Sequence, residues 1–470
     1  MNIFYLVFYQ SLQGWQHLSA IYYAERGDMH GVALDGIQKC DLQNRQVRNQ
    51  PGGWHHHLRD RQGSETTMNR VISTEKSPIK MWLPWMEDGA EKQAKNVANL
   101  PFVFKHVAIM PDAHQGYGCP IGGVVALDGV VSPNLVGVDI GCGMCAIKTA
   151  VTTDSLNVDQ LKAIMGLIRE RVPVGKQHHE ELQHSLFMPH GDSDVKVQSL
   201  SIAGREMIAV QQYNRARYQV GTLGGGNHFI EIQHDADKNV WIMIHSGSRN
   251  LGKRVADHYN KIAKDLNAKW KSEVPPSVDL AFLPIDCPEG QDYIAEMNYC
   301  VDFALENRKL MMRRCLESFY EIVQQPLTDD WQRDLLNIAH NYATIENHFG
   351  RNVWVHRKGA TKATLGGLGI IPGSQGTKSY IVKGKGNRDS FNSCSHGAGR
   401  ALGRADARRK LNLADEIARL DAAGVVHGIR NEQDLDEAAG AYKDITEVMA
   451  NQADLVEIVT ELSPMGVIKG

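Results

Sequence analysis

No stretch of this 470-residue chain is apolar over the ~18 residues that a membrane-crossing helix requires, which excludes a helical membrane protein. The apolar run from Ile3 to Tyr9 is short and has no positively charged segment before it, which argues against a secretory signal. Neither charge is in excess: Lys and Arg number 51 against 54 Asp and Glu, for a net charge of −3. Bulk coating of nucleic acid is thereby excluded, while a local basic groove is not. Aromatic residues make up only 7%, and they form no motif of the single-strand-stacking kind. The eight cysteines (Cys40, Cys119, Cys142, Cys145, Cys287, Cys300, Cys315 and Cys394) lack the spacing of a disulfide framework, which predicts a reducing, cytoplasmic setting.

What is present centres on Val136-Gly137-Val138-Asp139-Ile140-Gly141-Cys142-Gly143-Met144-Cys145. Val136 to Ile140 reads as a buried strand, and Gly141 and Gly143 permit a sharp turn after it. Asp139 and Cys142 leave that turn together, as two ligands offered to one metal centre. Two other patterns are weaker. Gly141-x-Gly143-x-x-Ala146 imitates a dinucleotide fingerprint, but Ala146 to Thr153 is β-branched where that motif must open a helix. Cys142-x-x-Cys145 has no second pair at zinc-ribbon spacing.

Residues 1–67 differ from the rest, mixing Gln, His, Arg and Gly without period, so they read as an N-terminal extension, disordered or not native. Met68 reads as a natural start, with 68–470 as one catalytic domain. Phe102 to Met110 predicts a strand that hands over to a turn bearing Asp112 and His114. Asn157 to Val172 predicts an amphipathic helix with Leu161, Ile164, Met165 and Ile168 on one face. His178 to His184 resembles a zinc-protease motif, but Gln183 stands where the second histidine belongs, so a polar loop is expected. At Gly224-Gly225-Gly226-Asn227-His228-Phe229-Ile230-Glu231, glycines lead into a strand whose alternation sets Asn227, Phe229 and Glu231 opposite His228. His245 ends a second strand, and the two histidines make a metal pair. Arg254 to Ile345 reads mainly as helices, with His340 and Asn341 near the end of the last. Gly369 to Ser379 misses the phosphate-loop pattern but offers an anion nest. His396 reads as opening a basic helix that carries Arg400, where the helix field would keep its imidazole neutral and nucleophilic. The chain closes on an apolar strand that carries Lys469.

Asp139/Cys142, Asn227/His228, His245, His340, Pro372 to Gln375 and His396 to Arg400 occur here in one order. Together with the terminal Val467-Ile468-Lys469-Gly470, they resemble the bacterial branch of the RtcB family of GTP-dependent RNA-splicing ligases, from about residue 69 to the end. The resemblance implies one large α+β domain of mixed β-sheets flanked by helices. It implies ligation of RNA 2′,3′-cyclic-phosphate or 3′-phosphate ends to 5′-hydroxyl ends, in tRNA splicing or RNA repair, through a histidine–GMP intermediate. Under it, Asp139, Cys142, His228, His245 and His340 are ligands of two Mn²⁺ ions, and His396 is the nucleophile. The guanylate would lie among Asn227, Phe229, Glu231, His340, Asn341, Pro372, Gly373, Ser374, Gln375, Ser379, His396, Gly397, Ala398, Gly399 and Lys469. Arg249, Lys358 and Arg400 would hold RNA or triphosphate oxygens. A cytoplasmic monomer is implied, with an archease-type activating partner. Gln375 stands where many relatives carry Met, and the Gln115 to Gly118 turn differs from some bacterial relatives. Two other functions compete. A metal-dependent phosphoesterase would use the same centre without His396 or Lys469, and a non-catalytic RNA-binding protein would not need the metal ligands.

Overall fold

The computed structural model describes residues 68–189 and 207–470; of residues 1–67 it describes strand backbone alone, in which Ala20–Glu25 pairs antiparallel with Asp28–Ala33. The expectation of an irregular N-terminal extension otherwise lies outside the described residues. The chain divides into the units Met1–Gly63 and Ser64–Gly470, and both large sheets and the cavity between their edges belong to the second.

One mixed sheet and one purely antiparallel sheet, with helices packed against them, make the expected α+β architecture, although both sheets were expected to be mixed. The first has six strands: β1 (Arg70–Ile72), β2 (Ile79–Met81), β3 (Val103–His114), β4 (Ile121–Leu127), and the later β9 and β10. The second begins with β5 (Gly143–Thr152), β6 (Phe229–His234), β7 (Asn239–Ser246) and β8 (Leu336–Ala339). The chain then crosses back to the first sheet with β9 (Asn341–His348) and β10 (Arg351–Lys358). The second sheet is completed by β11 (Leu368–Ile371), β12 (Ser379–Gly384) and β13 (Val456–Lys469). The orders are β9-β10-β4-β3-β2-β1 and β8-β5-β7-β6-β13-β12-β11. All pairs are antiparallel except β2 with β3.

Register gathers the chemistry at one end of the second sheet. Gly143 pairs with both Ala339 and Ser246, and Phe229 pairs with both His245 and Lys469. Cys142, His340, His228 and Lys469, each at or next to one of these positions, therefore share that end. His340 is also the single residue between β8 of one sheet and β9 of the other, so the site lies on the seam of the two sheets.

The helices brace this arrangement. Helix α1 (Asp88–Ala98) covers the first sheet through Ala90, Ala94 and Val97. Helix α2 (Val158–Arg171) starts at Asn157, whose side chain and that of Gln160 form a reciprocal capping box. It buries Leu161, Ile164, Met165 and Ile168, the face read from the sequence. Helix α3 (Arg249–Lys269) and the 36-residue α4 (Pro288–Val323) come next in the chain. Helix α4 passes directly under the site: Gly141, at φ +78°, comes so close to it that a Cβ would meet the Cys300 carbonyl oxygen.

Four local expectations are corrected. Val136 to Ile140 is not a buried strand. Pro133–Val136 is a helical turn broken by Gly137 at φ +97°, and Val138 is exposed; the strand comes after the glycine turn instead of preceding it. The Phe102 strand does not stop at Pro111 but runs to His114, its register shifting between Ile109 and His114, which accommodates a proline without an N–H. The segment to Ile345 is helical only to Val323, so His340 is a residue between strands, where backbone pairing outweighs a mixed local pattern. His396 comes directly after the strand Ser393–Ser395, and the basic helix begins only at Arg404. Gly399 at φ +71° turns the chain between them.

Candidate active site

A cavity of about 860 Å³ opens on the seam. Its wall includes Asp139, Cys142, His245, His340 and His396 on one side and Glu231, Pro372, Gln375, Arg400 and Lys469 on the other. Asn227, Phe229 and Asn341 line it as well, as do Lys358, Gly373, Ser374, Gly397, Ala398 and Gly399. His228 lies behind the wall, opposite Asn227, Phe229 and Glu231, as strand alternation requires. Arg249 and Ser379 are not on the wall. Arg249 donates to Thr222 Oγ1 at 3.1 Å and to the Gly175 carbonyl, and Ser379 Oγ accepts from Gly373 N at 3.2 Å. Both act here as braces of the loops in front of them.

The imidazoles have defined tautomers. His228 Nδ1 faces the Leu223 carbonyl at 3.0 Å and His245 Nδ1 the Asn227 carbonyl at 3.2 Å. Each Nδ1 therefore carries the proton and each Nε2 a lone pair. Those Nε2 atoms point at Cys142 Sγ, at 3.5 and 3.3 Å, and His340 Nε2 lies 3.4 Å from His245 Nε2. Asp139 Oδ2 is 3.2 Å from His228 Nε2. The nearest possible ligand atoms of Cys142, His228 and His245 lie within 4.8 Å of one another. One thiol proton can satisfy only one of these lone pairs, and the others repel unless a cation joins them. The imidazoles and thiol suit a borderline divalent ion such as Zn²⁺, and the carboxylate also suits a harder one such as Mn²⁺. His340 Nδ1, buried without a hydrogen-bond partner among the described residues, adds a further polar atom awaiting one.

Without an ion, burial dominates the electrostatics. It pushes the Cys142 thiol well above its ordinary range, with the Asp139 charge acting in the same direction. It pushes His245 and His340 well down, and neighbouring imidazoles add to the effect. For Asp139, burial raises the carboxyl, but the His228 ring beside it and the Arg249 charge bring it net below the usual range.

His396 is held by Asp112, a carboxylate whose partner the sequence does not show. Asp112 Oδ2 accepts from His396 Nδ1 at 2.6 Å, from the His396 amide at 3.0 Å and from the Gly397 amide at 3.3 Å. Asp112 is fully buried, which raises its carboxyl, and the His396 charge and hydrogen bond bring it net below the ordinary value. Gly399 seals the contact, since a Cβ there would overlap the Asp112 carbonyl oxygen. With the Nδ1 proton engaged, the lone pair of Nε2 is left free. The rings of His396 and His340 lie 4.9 Å apart.

Across the cavity, Glu437 gathers the cations. It accepts from Arg400 Nη1 and Arg404 Nε at 3.2 Å each and from the Tyr442 hydroxyl, and Lys469 Nζ stands 4.0 Å away. The Lys469 ammonium lies 5.5 Å from the Phe229 ring centroid, and burial lowers its pKa. Glu437 and Tyr442 belong to the site without any sequence signal of their own, and Arg404 comes from the basic run that the sequence marks. No local pattern marks Glu437, which meets its partners only through the tertiary fold. The expected anion nest at Gly369 to Ser379 is not formed. The Gly373 and Ser374 amides bond to Ser379 and Thr377 hydroxyls, and Lys378 pairs with Glu461. Gln375 donates to the Glu437 carbonyl at 2.7 Å, fixing the wall beside the cations.

Comparisons with known proteins point to one family. Residues 93–470 match the family described as tRNA-splicing ligase RtcB. The RNA-splicing ligase RtcB of Escherichia coli K12 is 39% identical over 413 residues, covering 85% of this chain and 99% of that protein. The tRNA-splicing ligase RtcB of Thermococcus kodakarensis is 34% identical over 447 residues, covering 82% of this chain and 92% of that protein. That of Nanoarchaeum equitans is 32% identical over 470 residues, covering 87% and 97%. With its family match spanning most of the unit that carries the cavity, the chain belongs to the RtcB family.

Proposed function

We propose that the protein joins RNA ends bearing a 2′,3′-cyclic phosphate or 3′-phosphate to 5′-hydroxyl ends, using GTP and Mn²⁺, in tRNA splicing or RNA repair. The observation that carries the reading is His396: its Nδ1 is committed to Asp112, and its ring stands over the His340 end of the histidine–cysteine–aspartate cluster. Asp139, Cys142, His228, His245 and His340 would hold two Mn²⁺ ions, which when bound supply positive charge to phosphate oxygens.

The remaining work falls to the chain's own side chains. His396 Nε2 attacks the α-phosphorus of GTP; an N–P bond forms, the bond to the β-phosphate oxygen breaks, and pyrophosphate leaves. The Nδ1 proton stays on the Asp112 hydrogen bond, so the cation formed on the ring is stabilised in place. Lys469 and Arg400 offset charge on the nucleotide, and Glu231, on the same wall, receives guanine donors. A terminal RNA phosphate oxygen then attacks that phosphorus and breaks the N–P bond, which restores His396. Water first opens a cyclic phosphate end. Finally the 5′-hydroxyl oxygen attacks the activated RNA phosphorus, forming the phosphodiester and releasing GMP.

The test needs no RNA. The protein is incubated with Mn²⁺ and α-labelled GTP, and label surviving denaturation is counted in wild type and in His396→Ala. Acid-labile label on wild type alone supports the reading. Metal bound without label in wild type overturns it in favour of a phosphoesterase.

A further inference from the structure

We propose that Tyr117 is a stacking platform for an unpaired nucleobase next to the reacting RNA end. The proposal rests on the RNA-ligase reading and adds to it a subsite on the cavity wall at a residue outside the proposed guanylate set. Tyr117 lines the cavity, yet it is 74% exposed. With Val138, it is one of the two large apolar side chains of that wall left to solvent. Single exposed apolar residues are ordinary, so exposure alone assigns nothing. The backbone beneath the ring is what sets this one apart.

That backbone is pinned from four directions. Lys358, nearly fully buried, donates from Nζ to the Tyr117 carbonyl at 2.5 Å and to the Asn134 carbonyl at 2.9 Å. The Cys119 amide reaches the same Tyr117 carbonyl at 2.7 Å. Gln93 brackets Gly116, donating to its carbonyl at 2.6 Å and accepting from its amide at 3.1 Å. Glu87 accepts from the Gln115 amide, and Gly118 turns the chain at φ +69°. Among the described residues, no hydrogen bond, ion pair or ring contact engages the Tyr117 side chain. A rigid mount thus carries an unengaged aromatic ring at the entrance of a cavity whose floor holds His340 and His396.

Such a ring offers a π-face to any base and forfeits only two side-chain torsions on binding, so it grips without reading sequence. The buried ammonium of Lys358 lies directly under the turn and supplies positive potential for the phosphates on either side of the stacked base. A double-stranded end cannot use this site, because its bases are already stacked. The occupant is therefore a single-stranded RNA terminus.

The test measures binding of the full chain to a fluorescein-labelled single-stranded RNA with a 3′-phosphate, by fluorescence anisotropy with Mn²⁺ present. Tyr117→Ala is expected to weaken binding by about 5- to 100-fold, and Tyr117→Phe to bind within about two-fold of wild type. The matched arm uses the same RNA with abasic terminal nucleotides: wild type should bind it as weakly as Tyr117→Ala binds intact RNA, and the Ala substitution should then cost nothing further. Equal binding of intact RNA by wild type and Tyr117→Ala overturns the stacking assignment, as does a loss that persists on abasic RNA. The wild-type comparison of intact with abasic RNA needs no variant and decides the matter even if the Ala protein folds poorly. Should wild type bind neither RNA, the ligase reading itself falls.

Discussion

Asp112 Oδ2 accepts the Nδ1 proton of His396 at 2.6 Å across a sequence separation of 284 residues. The same oxygen takes two backbone amides from the His396 turn. The contact thus fixes three things at once: the ring orientation, the tautomer, and the path of the chain that carries the ring. A carboxylate that orients an imidazole and stabilises its cation is the arrangement by which a histidine becomes an effective nucleophile.

Asp112→Asn is therefore expected to leave the fold and the metal ligands in place while slowing nucleotide transfer to His396. An asparagine side chain offers either a carbonyl oxygen or an amide NH₂ and carries no charge, so the imidazolium formed on attack loses its partner. A loss of about 100-fold or more in the initial rate of label transfer from GTP is the expected outcome. Circular dichroism would report an unchanged fold. A variant that transfers label at the wild-type rate would make Asp112 a packing residue only.

Glu231 gives a prediction about pH. Burial raises its carboxyl to about 8, with only a Gln233 hydrogen bond and the Lys469 charge opposing. In the unfolded chain the group ionises near 4.5, its ordinary value. Between these values the folded protein holds one more proton than the unfolded one. The contribution is thus fully present below about 4.5 and is lost as pH rises toward about 8. Relative to Glu231→Gln, which cannot titrate, wild-type stability should fall by about 1.4 kcal/mol per pH unit through this window. Urea unfolding at pH 5, 6, 7 and 8 on both proteins measures the difference. Parallel stability curves would mean that Glu231 is ionised in the folded protein without nucleotide.

Much of the site was legible because its residues sit where strand ends and glycine turns concentrate chemistry. His228, His245 and Lys469 each adjoin or close a strand that the pattern marks, and antiparallel register draws them to one sheet end beside Cys142, which the glycine turn delivers. The helix at Asn157 was legible for a similar reason: cap, period and buried face agree locally. What escaped was decided by distant partners. Asp112 stood between a functional group and a turn residue because the register shift that lets β3 run through Pro111 depends on β4 and not on its own sequence. His340 was placed on a helix because its short flanking strands gain their order from two different sheets. Glu437 had no motif around it; three cations brought by separate segments give it its place. His396 is held by a different feature from the one expected, a buried carboxylate in place of a helix terminus.

Arg308 of α4 gives the third prediction. It is fully buried, and its guanidinium donates to the Gly141 carbonyl at 2.9 Å, the Ser246 carbonyl at 2.8 Å and Asn337 Oδ1 at 2.8 Å. Those acceptors adjoin Cys142, follow His245, and lie three residues before His340. One planar fork thus ties together the three segments that deliver the candidate metal ligands, from a helix that does not itself enter the cavity. Lysine carries the same charge but a single ammonium, and it cannot span acceptors so arranged. Arg308→Lys is expected to weaken Mn²⁺ binding by about 10- to 100-fold, the usual cost of loosening the groups behind a ligand set. The measurement is a Mn²⁺ titration of the chelator-stripped protein by isothermal calorimetry, beside a thermal melt without metal. A variant with a lowered melting temperature but wild-type Mn²⁺ affinity would confine Arg308 to general stability, whereas loss of affinity beyond any change in melting assigns it to positioning the ligands.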